Sequence, residues 1–318
     1  MRAVVLVGGF GTRLRPLTCD RPKQMLPIVN QAMVEHVVGH LAAHGVDDVV
    51  LSLGFLPDAF RDAYPDGRCA GARLHYAVEP EPLDTAGAVR FAALDAGIDE
   101  RFLVLNGDVL TDLDVTAFVA FHEQVGAEGT IALHKVADPS RYGVVPTDGD
   151  GRVIEFVEKP EPGTAPTDLI NAGTYVLEPS VLDRIEAGRK VSIEREVFPA
   201  MVRDRTLFAR DGETYWIDTG TPQEYIQAQL DLTEGLRGDP VAGVDPSATI
   251  DAGATVRRSG IGAGVTVAAG AVVDGSVIGH DSNIGEGARV TGCSVVGDGE
   301  IVAPGAALDG VRQPAGCP

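Results

Sequence analysis

From Val244 onward, small aliphatic residues recur at every sixth position, and few folds can accommodate such a rule. The series runs Val244, Ile250, Val256, then Ile261, Val267, Val273, then Ile278, Ile284, Val290, Val296, Val302 and Leu308. Two steps, Val256–Ile261 and Val273–Ile278, are five residues long instead of six. Glycine and alanine fill the intervening turns, and aromatic residues disappear. Such a repeat makes a parallel β-helix: each unit forms one short side, and stacking buries the aliphatic column. A disordered Gly/Ala-rich tail would not keep this register.

The preceding region obeys a different pattern. Apolar runs at Val4–Val7, Val49–Leu53, Leu74–Val78 and Phe102–Leu105 read as buried strands. Helical spacing lies between them, at Met33, Val37 and Leu41 and again across Val89–Leu94. This alternation predicts a mostly parallel, Rossmann-like sheet with helices on both faces, whose ligands bind at the carboxyl ends of the strands. A last helix over 221–237 leads into Gly238–Asp239–Pro240, a plausible linker. The expected division is therefore 1–238 and 239–318.

The first strand runs into Gly8–Gly9–Phe10–Gly11–Thr12–Arg13–Leu14, followed by Arg21–Pro22–Lys23. Glycines here let the backbone turn tightly and approach a phosphate, and Arg13 and Lys23 add cations to the backbone donors. A dinucleotide fingerprint requires a third glycine where this chain has Thr12, Arg13 and Leu14, and the Gly-Lys-Ser/Thr of a P-loop is absent. The segment reads as a nucleoside triphosphate site of another kind. The net charge of −20 argues against nucleic acid or an anionic membrane as partner, so a polyanionic ligand must meet a local basic pocket. Lysine is confined to Lys23, Lys135, Lys159 and Lys190.

Asn106–Gly107–Asp108 closes the strand Phe102–Leu105, and a carboxylate at a strand end suits an Mg²⁺ that also reaches phosphate oxygens. Asp218 precedes the last helix, where it or Thr219 could equally serve as a cap. In Glu158–Lys159–Pro160 the proline should hold the lysine extended, directing its ammonium at one point. Ser192 is placed to cap a helix starting in Ile193–Glu194–Arg195–Glu196. The cysteines Cys19, Cys69, Cys293 and Cys317 are dispersed and suggest neither a disulfide framework nor zinc. The apolar run Ala3–Val7 is too short for a signal peptide core or a membrane span, which makes cytoplasm the default compartment.

Together the glycine loop and Arg21–Pro22–Lys23 resemble the signature of sugar-1-phosphate nucleotidyltransferases, over Met1 to about Arg237. Later motifs resemble the mannose-1-phosphate guanylyltransferase-like branch, whose C-terminal appendage is a left-handed β-helix with three repeats per coil; about three and a half coils are then expected. The resemblance implies nucleotide binding by Leu6, Gly8, Gly9, Gly11, Thr12, Arg13, Glu79, Gly87 and Asn106. It implies Mg²⁺ on Asp108 and Asp218, and sugar phosphate binding by Gly143, Glu158, Lys159 and Asn171. Arg13, Lys23, Asp108, Asp218 and Lys159 are the implied catalytic set.

Glu79–Pro80–Glu81–Pro82–Leu83–Asp84–Thr85–Ala86–Gly87 resembles the family's base-recognition stretch. An ionised glutamate only accepts hydrogen bonds, and guanine offers two adjacent donors, so Glu79 favours GTP over other nucleotides. Asp84 departs from the usual glycine. The reaction implied is sugar 1-phosphate plus NTP giving NDP-sugar plus pyrophosphate, with mannose 1-phosphate and GTP the leading pair. Another sugar or cyclitol 1-phosphate, or ATP, UTP or dTTP, is the alternative. Two rivals from other classes are a non-catalytic sugar-nucleotide sensor and a β-helix acyltransferase using His280. The repeats are better suited to assembling a homo-oligomer, dimer or tetramer.

Overall fold

The valine-rich runs form strands because β-branched side chains pack well on a pleated surface. In the computed structural model, which describes residues 1–316, Arg2–Leu6 lies at the centre of a ten-stranded mixed sheet. It pairs in parallel with Asp48–Leu53 on one side and Phe102–Asn106 on the other, and Ala72–Val78 continues the parallel set. The antiparallel strand Leu169–Leu177 joins Phe102–Asn106 and carries the sheet onward to Gly143–Val144 and Val157–Glu158. Leu169–Leu177 also pairs with Gly129–Lys135, which bears Leu207–Asp211. The helices foreseen from spacing are present as Met33–Ala43 and Asp84–Asp95. Ala86, Val89, Ala92 and Ala93 of the second are buried against Val4, Val50 and Val104. Small residues on the helix let it sit close to the sheet.

By contacts the chain divides into two units: Met1–Gly8 with Val37–Trp216, and Gly9–His36 with the chain from Ile217 onward. The first holds the sheet just described. The second holds the glycine-loop segment, the helix Pro222–Thr233 and the repeats. That helix is capped by Thr221, whose Oγ1 accepts from the Glu224 amide at 3.3 Å and donates to the Glu224 carboxylate at 2.8 Å. Neither Asp218 nor Thr219 is the cap.

The repeats form the three faces of a left-handed parallel β-helix, each a sheet of four short strands. Thr249 pairs with Thr266, Thr266 with Asn283 and Asn283 with Ile301, so coils span 17, 17 and 18 residues. The shorter coils are the ones containing the five-residue steps. Ile261, Val267, Val273, Ile278, Ile284, Val290, Val296 and Val302 stack as a buried column. Arg312–Gln313 adds a fourth strand to the third face without an aliphatic residue, so the coil count read from the column falls short.

Among the described residues, no helix is long and apolar enough to cross a membrane. Among the described residues, Cys69 and Cys293 are free thiols. Cys317 lies outside the described residues.

Candidate active site

Three parallel strands end level with one another. Leu6 is in register with Ser52 on one side and Asn106 on the other. Beyond this row the Gly107 amide donates to the Leu6 carbonyl at 2.9 Å, and the Val7 amide to the Ser52 carbonyl at 3.1 Å. A Cβ on Gly107 would stand 2.7 Å from Val7 Cγ1 and 2.8 Å from the Leu6 carbonyl oxygen. Gly107 is therefore demanded by the approach of two backbones, and Asp108 follows directly on this crowded strand end. Gly8, in contrast, has open space where a side chain would be.

Glu79 continues the same row: its amide donates to the Leu53 carbonyl at 2.9 Å. Its Oε1 accepts from Ser52 Oγ at 3.2 Å and its Oε2 from the Leu83 amide at 3.0 Å. Burial pushes the carboxyl up from its ordinary value, and these two hydrogen bonds oppose that shift. Each oxygen keeps a further lone pair for another donor. Asp84 has φ +62°, the left-handed region, and its Oδ1 accepts from the Thr85 amide at 2.8 Å. A glycine at this position is thus a backbone requirement, and aspartate is one of the few residues that tolerates it. Gly87 faces protein: a Cβ there would meet Leu83 at 2.8 Å and the Arg189 carbonyl at 3.3 Å.

The sugar-side residues gather around a bulge. The register of Leu169–Leu177 against Gly129–Lys135 shifts between Asn171 and Tyr175. Gly173, at φ +73°, has Asn106 Nδ2 2.5 Å from where its Cβ would stand, so Asn106 fills the bulge. Asn171 is partly committed there, its Oδ1 accepting from the Gly173 amide at 3.0 Å and its Nδ2 donating to the Tyr175 hydroxyl at 2.9 Å. Gly143 is opposite Glu158, and Phe156 Cζ lies 2.6 Å from its missing Cβ.

Lys159 corrects an expectation. It has φ +49°, left-handed rather than extended, despite the following proline. The Lys159 amide donates to the Tyr142 carbonyl at 3.0 Å, and this contact turns the chain back at the sheet edge. Its ammonium is largely exposed and lies 3.3 Å from Glu158 Oε1. Strained backbone of this kind persists where the surroundings over-determine it.

In the second unit, Gly9 and Gly11 both have positive φ, +97° and +58°. A Cβ on Gly11 would stand 2.9 Å from Thr18 Cγ2 and 3.2 Å from Lys23 Cβ. Thr18 Oγ1 donates to the Gly11 carbonyl at 2.8 Å, which holds the loop against the Arg21–Pro22–Lys23 turn. Lys23 is buried, whereas Thr12 and Arg13 are exposed on the 3₁₀ turn Thr12–Leu14. Arg13 Nη2 and Asp218 Oδ1 flank Gly220, 2.6 and 2.8 Å from where its Cβ would be. Asp218 Oδ1 also accepts from the Gly220 amide at 2.9 Å. Among the described residues, no group of three or more His, Cys, Asp or Glu side chains is gathered to hold a metal unaided.

Sequence reasoning missed several neighbours of these residues. Ser52 carried a signal, being the polar residue within a buried apolar strand. Thr85, Glu194 and Tyr175 gave no sign of their partners, because their contacts join distant segments. Trp216 stacks on His134 at 5.1 Å, with Tyr142 edge-on at 5.7 Å, and its Nε1 donates to the Ala172 carbonyl at 2.9 Å. His280 is structural: its Nδ1 accepts from the Ala263 amide at 3.0 Å and its own amide donates to Asp298 Oδ1 at 2.8 Å. That leaves the acyltransferase rival without its free base.

A row of parallel strand ends and a glycine loop, with the carboxylates and lysines that follow them in the chain, define a nucleotidyltransferase. The chain belongs to the Nucleotidyl transferase family, which matches residues 2–235; the GMPPB C-terminal domain family matches residues 221–312. The chain is similar to a mannose-1-phosphate guanylyltransferase of Mycobacterium tuberculosis, with 38% identity covering 99% of this chain and 82% of the relative. A mannose-1-phosphate guanyltransferase of Schizosaccharomyces pombe is 42% identical, covering 79% of this chain and 73% of the relative. Among solved structures, HddC from Yersinia pseudotuberculosis complexed with GMP-PN aligns with a TM-score of 0.62 at 30% identity. That alignment covers 72% of this chain and 97% of HddC. A divalent metal is typical of the family.

Proposed function

We propose that the chain makes GDP-mannose and pyrophosphate from GTP and mannose 1-phosphate. The observation that carries this reading is the 38% identity to a mannose-1-phosphate guanylyltransferase along 99% of the chain. A phosphate oxygen of the sugar phosphate, already ionised at neutral pH, attacks the α-phosphorus of GTP. The bond from that phosphorus to the β-phosphate oxygen breaks, and pyrophosphate leaves with its electron pair. No covalent enzyme intermediate and no general base is required, so the protein acts by positioning and charge stabilisation.

Backbone amides of Gly8, Gly9, Gly11 and Thr12 are assigned to the triphosphate, and Leu6 and Asn106 to the nucleotide as well. Arg13 and Lys23 offset charge on the departing pyrophosphate, and Lys159 holds the attacking phosphate. The open lone pairs of Glu79 accept from guanine N1–H and the N2 amine; a pyrimidine or adenine would face them with an acceptor, at a cost of about 1–3 kcal/mol. Gly143, Glu158 and Asn171 are assigned to the sugar, and Gly87 to the nucleotide, on a base-side segment packed closely against Leu83 and Arg189. Asp108 and Asp218 are the proposed ligands of Mg²⁺. Two carboxylates suit this ion, which takes its other ligands from phosphates and water; when bound it would neutralise phosphate charge.

The functional division proposed is 1–238 for catalysis and 239–318 for the repeats. Exposed apolar side chains on the β-helix, Ile301 and Val311, support contact between copies of the chain. We place the reaction in the cytoplasm, where nucleoside triphosphates are supplied.

The test is a pyrophosphate-release assay crossing the four common NTPs with a panel of sugar 1-phosphates. Highest kcat/KM with GTP and mannose 1-phosphate supports the proposal. Preference for another pair redirects it within the family, and tight GDP-sugar binding without turnover of any pair refutes it.

A further inference from the structure

The run Ser192–Phe198 has no part in the chemistry above, yet it contacts both substrate-side segments. Residues Ile193–Val197 form a π-helical turn, capped by Ser192, whose Oγ accepts from the Arg195 amide at 3.3 Å. Such turns are rare and concentrate at functional sites. On the base side, Glu194 Oε2 accepts from Thr85 Oγ1 and from Ser192 Oγ, each at 2.8 Å. Thr85 Oγ1 in turn accepts from the Ile193 amide at 2.9 Å, which leaves that hydroxyl held from both sides. Backbone bonds extend the clamp: the Ala86 amide donates to the Val191 carbonyl at 2.9 Å and the Val191 amide to the Leu83 carbonyl at 3.0 Å. Leu83 is the residue whose amide holds Glu79.

On the sugar side, the turn ends in Phe198. Its ring packs edge-on against Tyr175 at 5.1 Å and tilted against Phe156 at 5.4 Å. Tyr175 receives the Asn171 amide, and Phe156 is the ring that requires glycine at position 143. Burial, and after it the nearby charge of Glu194, pushes the Tyr175 hydroxyl up from its ordinary value. Glu194 therefore holds the base-side threonine from within the same turn whose Phe198 packs on the sugar-side tyrosine. Its Oε1 makes no hydrogen bond among the described residues.

We propose that Glu194 is a positioning residue that locks the base-side segment Glu79–Gly87 to the sugar-side strand, so that the two substrate sites are held as one. The inference rests on the reaction proposed above. Two hydroxyls donate to the one acceptor oxygen, and losing both bonds should change affinity by about tenfold.

The experiment measures initial rates over both substrates for wild type, Glu194→Ala, Glu194→Gln, Thr85→Val and the Glu194→Ala/Thr85→Val double variant. Glu194→Ala and Thr85→Val should each raise KM for GTP and for mannose 1-phosphate by about tenfold, with kcat within about twofold. The double variant should be no worse than Glu194→Ala, and Glu194→Gln, which keeps an acceptor oxygen, should restore near-wild-type values. A KM change confined to one substrate, additive effects, or a lowered Tm with both KM values unchanged overturns the proposal. Should the wild type show no turnover, the reaction reading fails on its own, and calorimetric GTP binding by the same variants decides. An affinity loss of about tenfold in Glu194→Ala, rescued by Glu194→Gln, then supports the lock, and unchanged or absent binding overturns it.

Discussion

Gly107→Ala probes the strand-end row directly. The added methyl would stand 2.8 Å from the Leu6 carbonyl oxygen and 2.7 and 3.2 Å from the Cγ1 atoms of Val7 and Val5. The valine side chains can shift, but the carbonyl belongs to the central strand, paired on both sides, and cannot move without breaking register. Overpacking of this kind costs about 1–3 kcal/mol. Separating the strands also stretches the Gly107 amide bond to Leu6, which adds about 1 kcal/mol. The expected loss is therefore roughly 2–4 kcal/mol in urea denaturation. Because Asp108 is the next residue, relief of the clash moves its carboxylate, and kcat should fall by up to about a hundredfold. Gly149→Ala is the control, since nothing lies within 4 Å of its missing Cβ and its φ is not positive; it should stay within about 0.5 kcal/mol of wild type. A Gly107→Ala protein destabilised by less than about 1 kcal/mol, with kcat unchanged, refutes the steric reasoning.

Three further outcomes are expected. Asp84→Ala should cost about 1–2 kcal/mol by denaturation, because alanine lacks aspartate's tolerance of the left-handed region, while Asp84→Gly stays near neutral without altering base preference; equal effects would show that the backbone is not the reason. Lys159→Ala should raise KM for the sugar phosphate far more than for GTP, and an equal rise in both in steady-state kinetics counts against its assigned role. His122 is fully buried, bonded to Thr130 Oγ1 at 2.7 Å and Glu178 Oε1 at 3.2 Å, and burial holds it below its ordinary value of 6.5. A depressed folded-state value means that its neutral form contributes stability above pH 6.5, lost as pH falls below that point; denaturation midpoints should decline across this window less steeply in His122→Asn.

What the sequence determined by itself follows from short-range rules. The aliphatic column has to face inward at each turn of chain, so the six-residue period specified the β-helix, and its two five-residue steps specified the 17-residue coils. Apolar runs alternating with helical spacing specified the central sheet, because each strand must be covered on both faces. The glycines of the loop were legible because only glycine combines positive φ with close approach, as Gly11 does against Thr18 and Lys23.

Tertiary structure decided whatever depends on meetings between distant segments. Ser52 reaches Glu79 across 27 residues and Thr85 reaches Glu194 across 109, and no local pattern records either pairing. Local propensity also misled where neighbours overruled it. Proline should have kept Lys159 extended, but the bond from its amide to Tyr142 forces the left-handed turn. Asp84 seemed a departure at the base, yet its backbone angle explains why glycine is usual there. Periodicity is written into consecutive residues, whereas a hydrogen bond between separated segments exists only once the sheet has brought them together.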